Sequence, residues 1–298
     1  MKIKRVTAMY LSCTGTTKKV VEYVAQNAAD KLGIEYAVFD FSLPQAREEV
    51  CTYGESDLVI CGTPVYAGRV PNLFLPYLKE KVRGSGAFAV PIVLFGNRNF
   101  DDALAELRDI LTAGGFRALA AGAFVGEHAF SAVLGAGRPD KEDFAKADEL
   151  VSITVDRVRA LEATDPNQST VAQTQVTTAH NQSVAGIEIP VHVPGASPQT
   201  VYYTPRDRHG NAIDIRKVKP KTNDKCIANK GCRICAENCP LSAIDFDDPS
   251  KITGTCMKCG ACVKKCPQGA KYYDDEGYLY HKTELEEMYA RRAESTVY

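Results

Sequence analysis

The chain has 298 residues, 45% of them hydrophobic, and a formal net charge of −1. That balance gives no basic face for nucleic acid or an anionic membrane surface, and no apolar run approaches the ~18 residues of a membrane span. The opening Met1-Lys2-Ile3-Lys4-Arg5-Val6 runs into a strand pattern without the apolar core of a signal peptide. The length predicts roughly two domains. Eight of the eleven cysteines crowd between 226 and 266 in ligand-like spacing, which suggests a soluble protein of a reducing cytoplasm rather than a secreted disulfide scaffold.

Residues 3–11 predict a buried strand, and residues 18–32 a helix with Val20, Val21, Val24, Ala28 and Leu32 on one face. Between them lies Ser12-Cys13-Thr14-Gly15-Thr16-Thr17. A strand, a hydroxyl-rich turn and a helix make an anion site, because backbone N–H groups at a helix N-terminus favour negative charge. The hydroxyls of Ser12, Thr14, Thr16 and Thr17 can wrap a phosphate monoester; the plainer alternative is that they cap the helix. Neither the triphosphate loop G-x-x-x-x-G-K-[ST] nor the dinucleotide fingerprint G-x-G-x-x-G occurs.

Strands are predicted at 34–39, 57–61, 87–95 and 116–125, with helices at 44–51, 71–83 and 100–113 between them. Such alternation implies a parallel sheet covered on both faces, with a ligand beyond the carboxyl ends of its strands. Two turns at those ends stand out: Thr63-Pro64-Val65-Tyr66-Ala67-Gly68-Arg69 and Phe95-Gly96-Asn97-Arg98-Asn99-Phe100. His128 and Glu127 follow the last strand, and a lone histidine is more often a structural hydrogen-bonder than a proton donor. Asp140 and Asp143 fit a capping box for a helix over 141–163, which closes the first domain. Cys13, Cys51 and Cys61 read as packing residues. Residues 165–200 are rich in Ser, Thr, Gln and Pro and read as an extended connector. Residues 201–222 read as extended chain leading on, with a hairpin at His209-Gly210-Asn211; a structureless connector of ~55 residues is unusual, so part of it is expected to pack. A short helix over 284–294, capped by Thr283, is expected at the C-terminus.

The strongest signal is Cys256-Met257-Lys258-Cys259-Gly260-Ala261-Cys262-Val263-Lys264-Lys265-Cys266-Pro267. Its C-x2-C-x2-C-x3-C-P spacing is the ligand run of a bacterial two-cluster ferredoxin, whose fourth cysteine reaches the other cluster. A second copy upstream ends in Cys232, Cys235 and Cys239-Pro240, but five residues separate its first member, Cys226, from Cys232. On this pattern Cys226, Cys232, Cys235 and Cys266 hold one [4Fe-4S] cluster, and Cys256, Cys259, Cys262 and Cys239 the other. Should Cys226 not reach, a three-iron cluster or a non-protein ligand takes its corner. Structural zinc needs one closed set of four ligands and does not call for a doubled C-x3-C-P.

The loop at 12–17 resembles the FMN-phosphate loop of flavodoxins, S/T-x-T-G-x-T. Joined to the cysteine motifs, the chain is similar to the EFR-type flavodoxin–ferredoxin fusion proteins of anaerobic prokaryotes, a likeness that covers residues 3–160 and 222–275 and extends to Gly126-Glu127-His128 and Gly137-Arg138-Pro139-Asp140. The resemblance implies a doubly wound flavodoxin-like sheet of order 2-1-3-4-5 at 1–163, a connector at 164–221, a small α+β two-cluster ferredoxin domain at 222–275 and a tail at 276–298. It places the FMN phosphate on Ser12, Thr14, Gly15, Thr16 and Thr17. The isoalloxazine would lie between Thr63, Pro64, Val65, Tyr66 and Gly68 on one side and Phe95, Gly96, Asn97, Arg98 and Phe100 on the other. Tyr66 is the expected stacking residue, and Arg69 or Arg98 the expected cation at the flavin edge.

Clusters pass single electrons and a flavin holds one or two, so the expected function is conversion between one-electron carriers and two-electron chemistry at FMN. The alternative is a flavin-dependent reductase of a small substrate, for which His128, Tyr66 and Glu127 are the candidate proton donors. An external redox protein or small acceptor is the expected partner, nucleic acid and membrane are not, and a homodimer would allow transfer between chains.

Overall fold

The computed structural model describes residues 2–164, 182–184 and 186–298. Five parallel strands build the main sheet: β1 (Arg5–Tyr10), β2 (Glu35–Asp40), β3 (Asp57–Pro64), β4 (Phe88–Phe95) and β5 (Gly122–Val125). Their spatial order is β2-β1-β3-β4-β5. This is the doubly wound, flavodoxin-like arrangement, whose ligand crevice opens beside the point where the order reverses. Helices α1 (Thr16–Leu32), α2 (Leu75–Lys81), α3 (Ala103–Ala113) and α4 (Lys141–Ala163) alternate with the strands. Strands β3 and β4 are buried almost end to end, as strands covered on both faces must be.

Two apolar layers hold the helices to the sheet. On one face Val20, Val21 and Val24 of α1, with Leu150 and Val151 of α4, pack on Val6, Ala8, Ile60 and Ile92. On the other, Leu78, Leu104 and Leu107 pack on Met9, Leu11, Val59 and Val93. Helix α4 begins at the expected capping box: the Asp140 carboxylate accepts the Glu142 and Asp143 N–H groups, and Asp143 accepts that of Asp140. No helix among the described residues is long and apolar enough to cross a membrane.

Three local expectations are corrected. The helix expected at 44–51 is a single 3-10 turn, Pro44–Arg47, followed by a strand, Cys51–Gly54, paired with Val82–Ser85. Cys51-Thr52-Tyr53 prefer an extended backbone, and Tyr53 is buried there. The strand expected at 116–125 breaks into Arg117–Ala118 and β5. The C-terminal helix, α5, spans Glu276–Met288 and is capped by Asp275, which accepts the Tyr278 N–H. Thr283 therefore lies inside that helix and caps nothing.

The connector expectation falls partly on residues 165–181 and 185, outside the described residues. Beyond them Ile187–Ile189 pairs with Gln182–Val184, and Val191 and Val193 are buried in the α2/α3-side core. The Asp102 carboxylate accepts the Ala196 and Thr200 N–H groups and the Thr200 hydroxyl, which binds this stretch along α3. A turn at 207–211 closes with Asp207 N–H donating to Asn211 O.

The C-terminus returns to the first domain. Residues Thr296–Val297 form β6, antiparallel to β5 at the sheet edge. Just before it, Ser295 Oγ accepts the Val125 N–H and donates to Asp143 Oδ1. Asp143 also forks with the Arg138 guanidinium, and the two side chains are 1% and 5% exposed. Removing one partner of such a pair leaves a buried charge without compensation. Asp143→Ala should cost about 3–5 kcal/mol in chemical denaturation. A loss near zero would show that water reaches Arg138.

Candidate functional site

Beyond the carboxyl ends of β1, β3, β4 and β5 lies a cleft of about 680 Å³. The β1–α1 loop supplies Cys13, Thr14, Thr16 and Thr17 to its lining; the turn after β3 supplies Pro64, Val65, Tyr66, Ala67 and Gly68; the turn after β4 supplies Phe95, Gly96 and Arg98; and Glu127 and His128 follow β5. These expected residues thus converge on one space. At the α1 end, Gly15 occupies the N-cap with φ +100° and caps nothing, Ser12 Oγ takes the Lys18 N–H, and no acidic residue sits in the first turn. The donors and dipole there favour an anion.

Several expected residues are placed elsewhere. Ser12 is buried behind the loop, where its Oγ accepts the Lys18 N–H and its N–H donates to Ser42 Oγ. Thr63 is fully buried at the end of β3 and Phe100 packs on Phe95; neither lines the cleft. Asn97 is turned away, since its side-chain amide donates to Tyr289 O and Arg291 O and accepts the Ala293 N–H. Arg69 is also spent: Glu106 receives its guanidinium at 2.5 and 2.8 Å, and Thr200 O takes a further N–H. Arg98 does reach the cleft, ion-paired with Asp101 and lying 4.5 Å over the Tyr203 ring.

The turn at Tyr66–Arg69 puts both central residues in the left-handed region, Ala67 at φ 52° and Gly68 at φ 76°. Tyr66 N–H donates to Arg69 O and Arg69 N–H to Tyr66 O, which is the double pairing of a tight turn and presents Tyr66 to the cleft. A Cβ on Gly68 would fall 2.2 Å from the Asp101 carboxylate, and one on Gly96 would fall 2.4 Å from the His128 ring. Both glycines therefore have a packing reason within the protein. The His128 Nδ1 accepts the Phe130 N–H at 3.1 Å, which leaves Nε2 to carry the proton of the neutral ring.

The rest of the lining was not foreseen. Tyr202, Tyr203, Pro205, Ile213 and Ile215 come from the connector, His281 and Leu285 from α5, and Thr255, Cys256, Met257 and Lys258 from the cysteine motif. Lys258 sits at φ 58°, and its Nζ donates to Cys256 O and Arg216 O. The two adjacent tyrosines in an otherwise polar connector were the one readable signal.

The cysteines surround two further cavities. Cys226, Cys232, Cys235 and Cys266 line one; Cys239, Cys256, Cys259 and Cys262 line another. The five residues after Cys226 are taken up by a 3-10 turn, Ala228–Lys230, which ends at Gly231 with φ +85°; Cys226 still reaches its cavity. The two C-P cysteines have matching surroundings, since Cys239 Sγ accepts the Ala243 N–H and Cys266 Sγ that of Ala270, each at 3.2 Å. Among the described residues no three His, Cys, Asp or Glu side chains converge on one metal-ion position. Four thiols round a void fit a body with one iron at each corner, whereas tetrahedral zinc draws four ligands to a single point.

The cysteine module is docked against the cleft. Gly260, at φ +73°, lies so near Ala129 that a Cβ would be 2.6 Å from the Ala129 carbonyl oxygen. Lys264 pairs with Glu127 at 3.2 Å, and Arg47 donates to Pro240 O. Cys13 of the β1–α1 loop lies against Cys259 and the Tyr66 hydroxyl.

The family model described as a 4Fe-4S binding domain matches residues 249–272, which include four of the eight motif cysteines. No curated protein matches the chain. Among solved structures, the chain is similar to rubredoxin oxygen:oxidoreductase of Desulfovibrio gigas, at 17% identity over 55% of this chain and 38% of that one, with a TM-score of 0.39. It spans well under two thirds of that enzyme. It is also similar to a flavodoxin of Streptococcus pneumoniae (15% identity, 52% of this chain and 99% of that one, TM-score 0.35) and to an NADH:FMN oxidoreductase in its apo form (16%, 55% and 92%, TM-score 0.36). The strand order and the 4Fe-4S match define the class: a flavodoxin-like α/β domain joined to a ferredoxin-type iron–sulfur module. The chain fits a flavodoxin–ferredoxin fusion.

Burial in the cleft wall pushes the His128 imidazole down to about 4, with His281, Lys264 and Arg98 adding to the effect. The folded value lies below the ~6.5 of a free histidine, so the unfolded chain takes up this proton first. Stability tied to the ring is full above pH ~6.5 and is lost as pH falls toward about 4. A proton NMR titration should find the ring neutral down to about pH 5. A midpoint at the free-histidine value would mean that the ring stands in bulk water.

Proposed function

We propose that the chain is an electron-transfer flavoprotein in which FMN occupies the cleft and two [4Fe-4S] clusters occupy the two cysteine cavities. The observation that carries this reading is the double role of Thr255, Cys256 and Met257, which line the second cysteine cavity and the cleft alike. One cluster ligand is thus part of the wall of the flavin site, within a single chain. When bound, the clusters supply one-electron transfer and the flavin couples it to two-electron chemistry.

The chain's own residues position, shield and bind. Thr14, Thr16 and Thr17, with the N-terminus of α1, hold the phosphate, and Tyr66 presents its ring to the isoalloxazine. Ile244, Ile252, Leu241 and Met257 keep water from the second cavity, which narrows the dielectric freedom of its cluster. His128 offers a neutral Nε2–H donor at the cleft wall, and Arg98 offers the cation expected at the flavin edge. An external redox protein or a small acceptor completes the route.

A second reading is favoured by the side chains on the cleft wall. At about 680 Å³ the cleft is of the size usual for one small molecule, and its lining includes His128, His281 and Tyr203. A reductase acting on a small two-electron substrate would use those groups. Turnover that saturates with one small molecule distinguishes it from a relay.

Anaerobic purification followed by iron, sulfide and FMN analysis tests the proposal. About eight iron and one FMN per chain are expected, with the flavin reduced through the clusters on stepwise titration. Cys226→Ser should lower the iron content while leaving FMN in place. Thr16→Val should weaken FMN binding roughly tenfold or more by removing a phosphate donor, with iron unchanged. Clusters without flavin in the wild-type chain would sink the reading of the cleft, and full iron in Cys226→Ser would remove Cys226 from the ligand set.

A further inference from the structure

Tyr273 is the one tyrosine on the wall of the second cysteine cavity. Its hydroxyl is buried and, among the described residues, has no hydrogen-bond partner of normal geometry. The side chain that it faces is the Cys256 thiol. Buried hydroxyls are nearly always paired, and the sulfur at the Cys256 corner is the acceptor that this one faces. The ring is not free to turn aside: it stacks on Tyr278 of α5 at 4.2 Å between centroids and 21° between planes. Tyr278 packs in turn on Phe130, 4.6 Å away, in the loop that carries His128. The ring is therefore held on the cavity wall by an aromatic column running from the cysteine module through α5 to the cleft wall.

We infer that Tyr273 is a positioning residue for the iron–sulfur centre beside the cleft, donating its O–H to sulfur at the Cys256 corner. The inference rests on the proposed two-cluster reading and adds a role that the ligand spacing does not contain. A hydrogen bond to sulfur stabilises the more negative, reduced state and so raises the reduction potential. No tyrosine lines the other cavity. The hydroxyl thus acts on one centre alone, the one whose ligand Cys256 also walls the cleft, and it favours the electron's residence next to the flavin site.

Tyr273→Phe keeps the stack and removes only the hydroxyl. Potentiometric titration of the holoprotein, followed by electron paramagnetic resonance, should find one centre shifted to lower potential and the other unmoved. At the wild-type midpoint of that centre, its reduced-to-oxidised ratio should fall roughly threefold to tenfold. Iron content should be that of wild type. Tyr278→Phe retains the column and the Tyr273 hydroxyl, and should leave both potentials in place. Unchanged potentials in Tyr273→Phe with full iron would overturn the inference, and so would loss of iron or an equal shift of both centres, since either marks a packing role. A wild-type chain that holds no cluster would defeat the proposed function itself, a result separate from these.

Discussion

The contact between Gly260 and the Ala129 carbonyl is the constraint on which the arrangement depends. Gly260 sits between two motif cysteines, and only a residue without Cβ and at ease at φ +73° brings them this close to the loop after β5. From that approach follow the Lys264–Glu127 pair, the placing of Thr255–Lys258 in the cleft wall, and the contact of Cys13 with Cys259. The cysteine module is thereby part of the cleft rather than a neighbour tethered to it.

The C-terminal segment holds the same junction from the other side. Helix α5 lays His281 and Leu285 into the cleft, and the chain then crosses Asn97, whose side chain takes three backbone partners, before β6 joins the sheet. Each attachment uses a polar group that would be costly to bury alone. The Asn97 amide, the Arg138–Asp143 pair and Ser295 take partners from the tail, so the sheet edge, the β4 turn and the start of α4 are joined through shared hydrogen bonds.

This sharing decides which charges remain for chemistry. Arg69 and Arg98 look alike in sequence, each following a turn at the end of a strand. Glu106, rising from α3, neutralises Arg69 and carries it into the packing beneath the connector, where Tyr202 covers it at 4.8 Å. Arg98 keeps its place on the cleft, paired there with Asp101. Lys258, which comes from a cysteine motif, adds a cation from the other side. The electrostatics of the cleft are thus composed by two modules together.

Local pattern determined a good deal of this protein. Burial on both faces showed in the apolar runs of β3 and β4, the Asp140–Asp143 box marked the start of α4, and cysteine spacing sorted eight thiols into two sets that the structure gathers round two cavities. These features depend on residues close in sequence or on a repeat of known period, which a linear reading can see. What only the tertiary structure decided depends on partners far apart in the chain. Ser12 and Asn97 fit a ligand-binding pattern, yet Ser42 and Lys18 engage the first, and residues near 290 the second. The connector's tyrosines, α5 and the wall shared through Cys256 were beyond the sequence for the same reason: a hydrogen bond or a void between distant segments leaves no periodicity along the chain.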